Sequence, residues 1–223
     1  MPRVPTRAGR AKRPRKDGSG PPQATESRIL AAAEQIFAEK GLKGARVKEI
    51  AALAHVPPSL INYHYGGKEN LYRIVIENYY VTMERRLFPI FAQEGLSPQE
   101  KLKRVLCAAV ELLAEKDSAA RILLRESIDK GKYVNELLSR PYLREMFQMA
   151  ERFLFSNLKP GRRSPNELIH ILSNLLGCLT MFFIASSTIR ELWKKDVYSR
   201  TLIEERKREV VDFVFNGIAG RFR

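Results

Sequence analysis

The chain is poor in the residues from which metal sites and catalytic centres are built. Three histidines and two cysteines are scattered through 223 residues, at spacings that match no zinc or haem pattern, so neither a metal nor any other cofactor is expected. Cys107 and Cys178 lie far apart, each in an apolar run, a placement that suits buried thiols in a reducing compartment and argues against a disulfide framework. There is no Gly-rich phosphate loop and no grouping of nucleophile, base and oxyanion donor; the expectation is that the chain is not an enzyme. A long hydrophobic run is missing too. The most apolar stretch, residues 171–185, is too short to span a bilayer and carries Ser173, Asn174 and Thr180, so it reads as a buried helix and no membrane partner is expected. The first residues have no apolar core between their charges and do not form a secretory signal; a soluble, cytoplasmic protein is the expectation. Acidic residues are also in short supply, 25 against 39 Lys and Arg, for a net charge of +14. Such a field favours a polyanionic partner, although a basic charge that serves only solubility is the competing reading.

What is present is organised. Residues 1–22 carry Arg3, Arg7, Arg10, Lys12, Arg13, Arg15 and Lys16 among prolines and glycines with almost nothing to bury, the composition of a disordered basic arm. From Thr25 the pattern changes. Ile29, Ala32, Ala33, Ile36 and Phe37 follow the i, i+3, i+4 spacing of one helical face, with Thr25 as a start signal and Gly41 as a stop. A second short helix from about Arg46 places Val47, Ile50, Ala51 and Ala54 on one face and meets Pro57-Pro58, which bars its continuation. Pro58 suits the first turn of a third helix, closed by Gly66-Gly67, because its missing N–H would be unpaired there anyway. Three short helices with a tight turn between the last two have the form of a helix-turn-helix. A fourth helix opens at Lys68, with Leu71, Ile74, Val75 and Tyr79 facing inward, and is expected to stop at about Leu87, before Pro89.

Beyond Gly95 the periodicity stays helical and no strand pattern occurs, so the fold class is all-α. Helices are expected from Ser97 or Pro98 to about Lys116, near Ala119–Ile128, from about Pro141 to Leu158, after Ser164-Pro165, and over about Arg200–Ile218. The fourth of these carries Leu168, Ile171, Leu172, Leu175, Leu176, Leu179, Phe182 and Phe183, a stripe wider than one core face of a monomer needs.

Between residues 25 and 71 several residues recur at fixed spacings. They are Ile29-Leu30-x-Ala32-Ala33-x-x-x-Phe37, then Gly41, then Val47-x-x-Ile50-Ala51-x-x-Ala54-x-Val56, then Ser59-Leu60-Ile61-Asn62-Tyr63-His64-Tyr65 and Lys68-x-x-Leu71. Together these resemble the DNA-binding domain of the tetracycline-repressor (TetR) family of transcription regulators. The resemblance implies an N-terminal helix-turn-helix domain, residues 23–70, and a helical ligand-binding and dimerisation domain, residues 71–223. It further implies that Tyr63, through its hydroxyl, and His64, through a ring N–H, lie against DNA phosphates, while Lys68 and the amides at the start of the fourth helix hold another. Base reading would then fall to Ser59, Leu60 and Asn62 in the major groove. Arg46 and Lys48 are further candidates for phosphate contacts. For Tyr63 the plain alternative is a packing aromatic, and for His64, Asn62 and Lys48 a solvated helix surface.

The chain departs from the family pattern at three places: Ala45 stands where Thr or Ser is usual, His55 where the turn usually has Gly, and Pro57 where Ser usually caps the third helix. If the turn keeps its shape, His55 must adopt a left-handed backbone, at a cost of about 1 kcal/mol.

The implied partners are double-stranded DNA, a second copy of the chain in a homodimer, and a small-molecule effector that releases a repressor from a palindromic operator. The basic arm is a candidate to lie along the minor groove. Effector contacts are sought between about Leu102 and Trp193. Phe147, Met149, Phe153, Phe182 and Phe183 offer adaptable surface there, Arg121, Arg125 and Glu126 offer polar anchors, and an Arg125–Glu126 ion pair would lie partly inside. Two other readings stay open: a helical scaffold with only non-specific DNA affinity, and a regulator that binds DNA without sensing anything.

Overall fold

The computed structural model describes residues 22–115, 117–128, 131–138, 148, 151–153, 156 and 165–218. Among these residues the regular structure is entirely helical. The basic arm, apart from Pro22, lies outside them, as does most of the helix expected over 141–158; of that segment, residues 148, 151–153 and 156 are helical.

Helix α1 (Pro22–Gly44) begins three residues before the expected start, so Thr25 sits inside the helix, buried, instead of capping it. Gly41, at φ 67° and ψ 175°, ends the regular path, a conformation that a residue without Cβ adopts at no steric cost. Helices α2 (Val47–Ala54) and α3 (Pro58–Tyr65) follow as the sequence predicts, with Pro58 in the first turn of α3. Helix α4 (Lys68–Ala92) does not stop before Pro89 but runs through it. The proline removes the bond to the Arg85 carbonyl, and because both residues are exposed near the helix end, water can satisfy that carbonyl.

Helix α5 (Pro98–Glu115) is capped by Ser97, whose Oγ accepts the Glu100 N–H at 3.2 Å. Helix α6 (Asp117–Ile128) follows, and then α7 (Lys132–Leu138), which the periodicity does not reveal. Helices α8 (Pro165–Ile184) and α9 (Ser186–Trp193) meet at a bend of 56°, and α10 (Arg200–Ile218) closes the described chain. Among the described residues no single helix is long and apolar enough to cross a membrane.

Two cores hold the helices. The first gathers Ile29 and Phe37 of α1, Ile50 of α2, Ile61 of α3 and Leu71 and Ile76 of α4, and it takes in Ala119 and Ile122 of α6. The second joins Leu106 and Val110 of α5, Ile171 and Phe183 of α8, and Val210 and Val214 of α10. Each large apolar side chain taken from water contributes about 1.5–3 kcal/mol. The boundary expected after residue 70 therefore falls inside α4, whose first half belongs to the core of the helix-turn-helix, and α6 packs directly onto that core.

Candidate nucleic-acid interface

The local chemistry of α3 fixes which of its side chains face outward. Ile61 and Tyr65, four apart on one face, are buried at 0% and 7% exposure, and the Tyr65 hydroxyl donates to the Glu26 carbonyl at 3.4 Å. These contacts lock α3 onto α1. The remaining positions turn away from the core: Ser59, Asn62, Tyr63 and His64 are exposed and Leu60 is half-buried. Tyr63 is 83% exposed, so it is not a packing aromatic within the chain.

Both ends of α3 are set by backbone geometry. Gly66 at φ 70° closes it, its N–H donating to the Asn62 carbonyl at 2.8 Å, the left-handed stop that glycine favours. At the other end the turn has the left-handed backbone expected from the resemblance, for His55 stands at φ 54°, ψ 48°. Its N–H donates to the Ala52 carbonyl, and the next amide, Val56, donates to Ala51. The strain expected from the sequence is therefore present.

Arg46 occupies the position before α2 where a capping oxygen is usual. Glu49 supplies only the reverse half of a capping box, accepting the Arg46 N–H at 3.2 Å and Lys40 Nζ at 2.8 Å, while its own N–H donates to the Arg46 carbonyl at 3.0 Å. The hydrogen bond from Lys40, opposed by partial desolvation and helped by the Arg46 amide, holds the Glu49 carboxyl below its ordinary value. The Arg46 and Lys48 side chains are exposed at this end of α2.

Two of the expected phosphate ligands have roles inside the domain. Lys68 Nζ donates to the Ala45 carbonyl at 3.0 Å and ties the start of α4 to the α1–α2 connection. His64 Nδ1 lies 3.7 Å from Glu26 Oε1, so the ring is oriented by α1. The structure thus leaves Ser59, Asn62 and Tyr63 outward on α3, with the His64 ring beside them turned toward Glu26.

The expected effector residues disperse. Arg125 Nη2 donates to the Glu39 carbonyl of α1 at 2.9 Å, and its guanidinium would lie 3.5 Å from a Cβ at Gly41; it braces α1 and does not pair with Glu126. Glu126 is buried, accepting the Tyr72 hydroxyl at 3.2 Å and the Tyr133 N–H at 2.6 Å. Arg121 donates to Ser186 Oγ at 3.2 Å. Phe182 lies beneath the Arg206 guanidinium, 4.9 Å from its ring centroid, and Phe153 meets Phe91 edge-on at 5.2 Å. Phe147 and Met149 lie outside the described residues. A cavity of about 180 Å³ opens elsewhere, lined by Tyr79, Tyr80 and Met83 of α4, Ala109 and Leu112 of α5, Ala119 and Leu123 of α6, and Leu179 and Thr180 of α8. Of these the sequence pattern marks Tyr79 and Leu179, but only as core.

An exposed short helix held on a three-helix core, followed by a helical body, has the architecture of a helix-turn-helix protein. The profile of the bacterial regulatory proteins of the tetR family matches residues 29–75. The chain is 26% identical over 124 residues to the transcriptional repressor NicS of Pseudomonas putida, an alignment that covers 55% of this chain and 58% of that protein. It is 23% identical over 176 residues to the probable transcriptional regulator YttP of Bacillus subtilis, covering 75% and 81%. A TetR-like transcriptional regulator from Rhodococcus sp. RHA1 has the same fold, with a TM-score of 0.65 at 20% identity over 91% of this chain and all of that one. Residues 29–75 thus match the DNA-binding domain of the tetR family, and the chain as a whole shares the fold of TetR-like regulators.

Proposed function

We propose that the chain is a transcription regulator, a repressor, that binds a palindromic operator in double-stranded DNA as a homodimer and is released by a small-molecule effector in the cytoplasm. The observation that carries this reading is the exposed face of α3, with Ser59, Asn62 and Tyr63 outward and Ile61 and Tyr65 locked inward. A helix held in this way can enter the major groove, with Asn62 toward base edges and Tyr63 toward phosphate. Arg46 and Lys48 add salt-sensitive attraction.

Dimerisation is supported by the outer surface of α8 and α10. On α8 Leu176 and Met181 are each 61% exposed, and on α10 Phe213, which lines a groove between α8 and α10, is 65% exposed. Apolar surface grouped in this way fits an isologous interface. One recognition helix reads few bases, and a pair at fixed spacing multiplies affinity and specificity.

Release is supported by the position of α6. Ala119 and Leu123 line the cavity, while Arg125 on the same helix holds the Glu39 carbonyl of α1. An effector that moves α6 changes the seat of the helix-turn-helix, and a ligand preferring that arrangement shifts the population away from the DNA-competent one.

The test is nuclease protection of DNA flanking the chain's own gene, with sedimentation to fix the oligomer. Two-fold symmetric protection by a dimer, lost in Tyr63→Ala with helicity intact, supports the proposal. Uniform, weak binding that Tyr63→Ala leaves unchanged would leave the chain a scaffold with a basic surface.

A further inference from the structure

Resting on the reading of the apolar cavity as the effector site, we infer that the effector is an electrically neutral hydrophobe, about the size of a benzene ring with a short side chain, and not a carboxylate, phosphate or ammonium ion. The size follows from the volume of about 180 Å³, since cavities of about 150 Å³ lined by apolar side chains admit benzene. The charge class follows from the lining. Among the described residues no Lys, Arg, His, Asp or Glu lines the cavity, so an ion entering it would lose its hydration without gaining a partner.

Two of the three lining hydroxyls are already engaged. Tyr79 shares a hydrogen bond with Ser118 Oγ at 2.9 Å, and Thr180 donates to the Leu176 carbonyl at 2.8 Å. The third, Tyr80, makes no hydrogen bond among the described residues, and the surface that the cavity presents is almost wholly apolar. Glu126 disfavours anions from behind the cavity wall. Its carboxylate is fixed by Tyr72 and Tyr133 and acts on the Tyr80 hydroxyl through space. It does not itself line the cavity, so it does not meet an incoming ammonium group either.

The matched probes are 2-phenylethanol, phenylacetate and phenethylammonium, which share a skeleton and differ in charge. Calorimetric binding and melting shifts are measured on the full-length protein, followed by release from operator DNA. The inference expects 2-phenylethanol to bind at least tenfold more tightly than either ion and to raise the melting temperature by about 3–5 °C at ten times its Kd. Ala109→Phe, which fills the cavity, should abolish the shift. Should that variant fail to fold, Leu112→Lys places a cation in the lining and should reverse the preference in favour of phenylacetate. If phenylacetate binds wild type as tightly as the alcohol, and Ala109→Phe or Leu112→Lys shows that it occupies the cavity, the charge class is wrong while the effector site stands. If no probe binds, or if binding ignores both substitutions, the inference and the reading beneath it both fall.

Discussion

Replacing His55 tests whether the turn of the helix-turn-helix is held against the residue's own backbone preference. His55 stands at φ 54°, ψ 48°, with its side chain exposed and its N–H bonded to Ala52. A left-handed backbone costs an L-residue about 1–2 kcal/mol, and histidine lies toward the lower end. Glycine removes that strain but adds about 0.5–1 kcal/mol of unfolded-chain entropy. The two nearly cancel, so His55→Gly should melt within about 2 °C of wild type. Valine, branched at Cβ, tolerates this backbone worst. His55→Val should lose about 1–2 kcal/mol, or about 2–8 °C for a chain of this length. The assay is thermal unfolding by circular dichroism at one fixed protein concentration, because association shifts the midpoint. The reasoning is refuted if the glycine variant loses as much as the valine variant, since the histidine side chain would then be making contacts that its exposure denies.

Other positions give independent checks. Ile61→Ala empties the fully buried anchor of α3 and should cost about 2–5 kcal/mol, read by denaturant unfolding, with DNA affinity falling alongside. Glu126→Ala removes the acceptor of the Tyr72 hydroxyl and of the Tyr133 N–H and should cost about 2–4 kcal/mol; Glu126→Gln, which keeps an acceptor, should cost less than half as much in the same assay. Burial, reinforced by the Glu126 charge, pushes the Tyr80 hydroxyl up to about 12 from a reference of 10.0. Since the folded value is the higher, this contribution is intact below pH 10.0 and is lost as pH rises toward about 12. Because Tyr65 and Tyr133 are raised as well, alkaline unfolding of Tyr80→Phe should show a smaller loss than wild type, and not its absence.

The helix-turn-helix was legible in the sequence because its signals are local. Pro57-Pro58 and Gly66-Gly67 bracket α3, and the spacing of Ile61 and Tyr65 settles its inward face without reference to the rest of the chain. Even the left-handed turn at His55 followed from one substitution in a known shape. The effector site was not legible for the opposite reason. Whether Leu179 fills a core or lines a void depends on how α4, α5, α6 and α8 stand against one another, and the apolar pattern is the same in both cases. Arg125 finds a backbone carbonyl 86 residues away, a partner that leaves no mark on side-chain periodicity. Pro89 read as a stop, yet the last turn of an exposed helix can do without one hydrogen bond. The stripe on α8 did announce more apolar surface than one core needs, and Leu172 and Leu176 remain uncovered in the single chain.

The central claim is that α3 reads sequence and that the basic charge does not act alone. The most direct test compares the affinity of wild type and Asn62→Ala for the protected operator and for scrambled DNA of equal length, across a salt series. The account predicts that wild type prefers the operator by at least about a thousandfold, and that Asn62→Ala lowers operator affinity about 5- to 150-fold while leaving scrambled-DNA affinity and its salt slope unchanged. Equal affinity of wild type for both DNAs, or an Asn62→Ala loss shared equally between them, would contradict it.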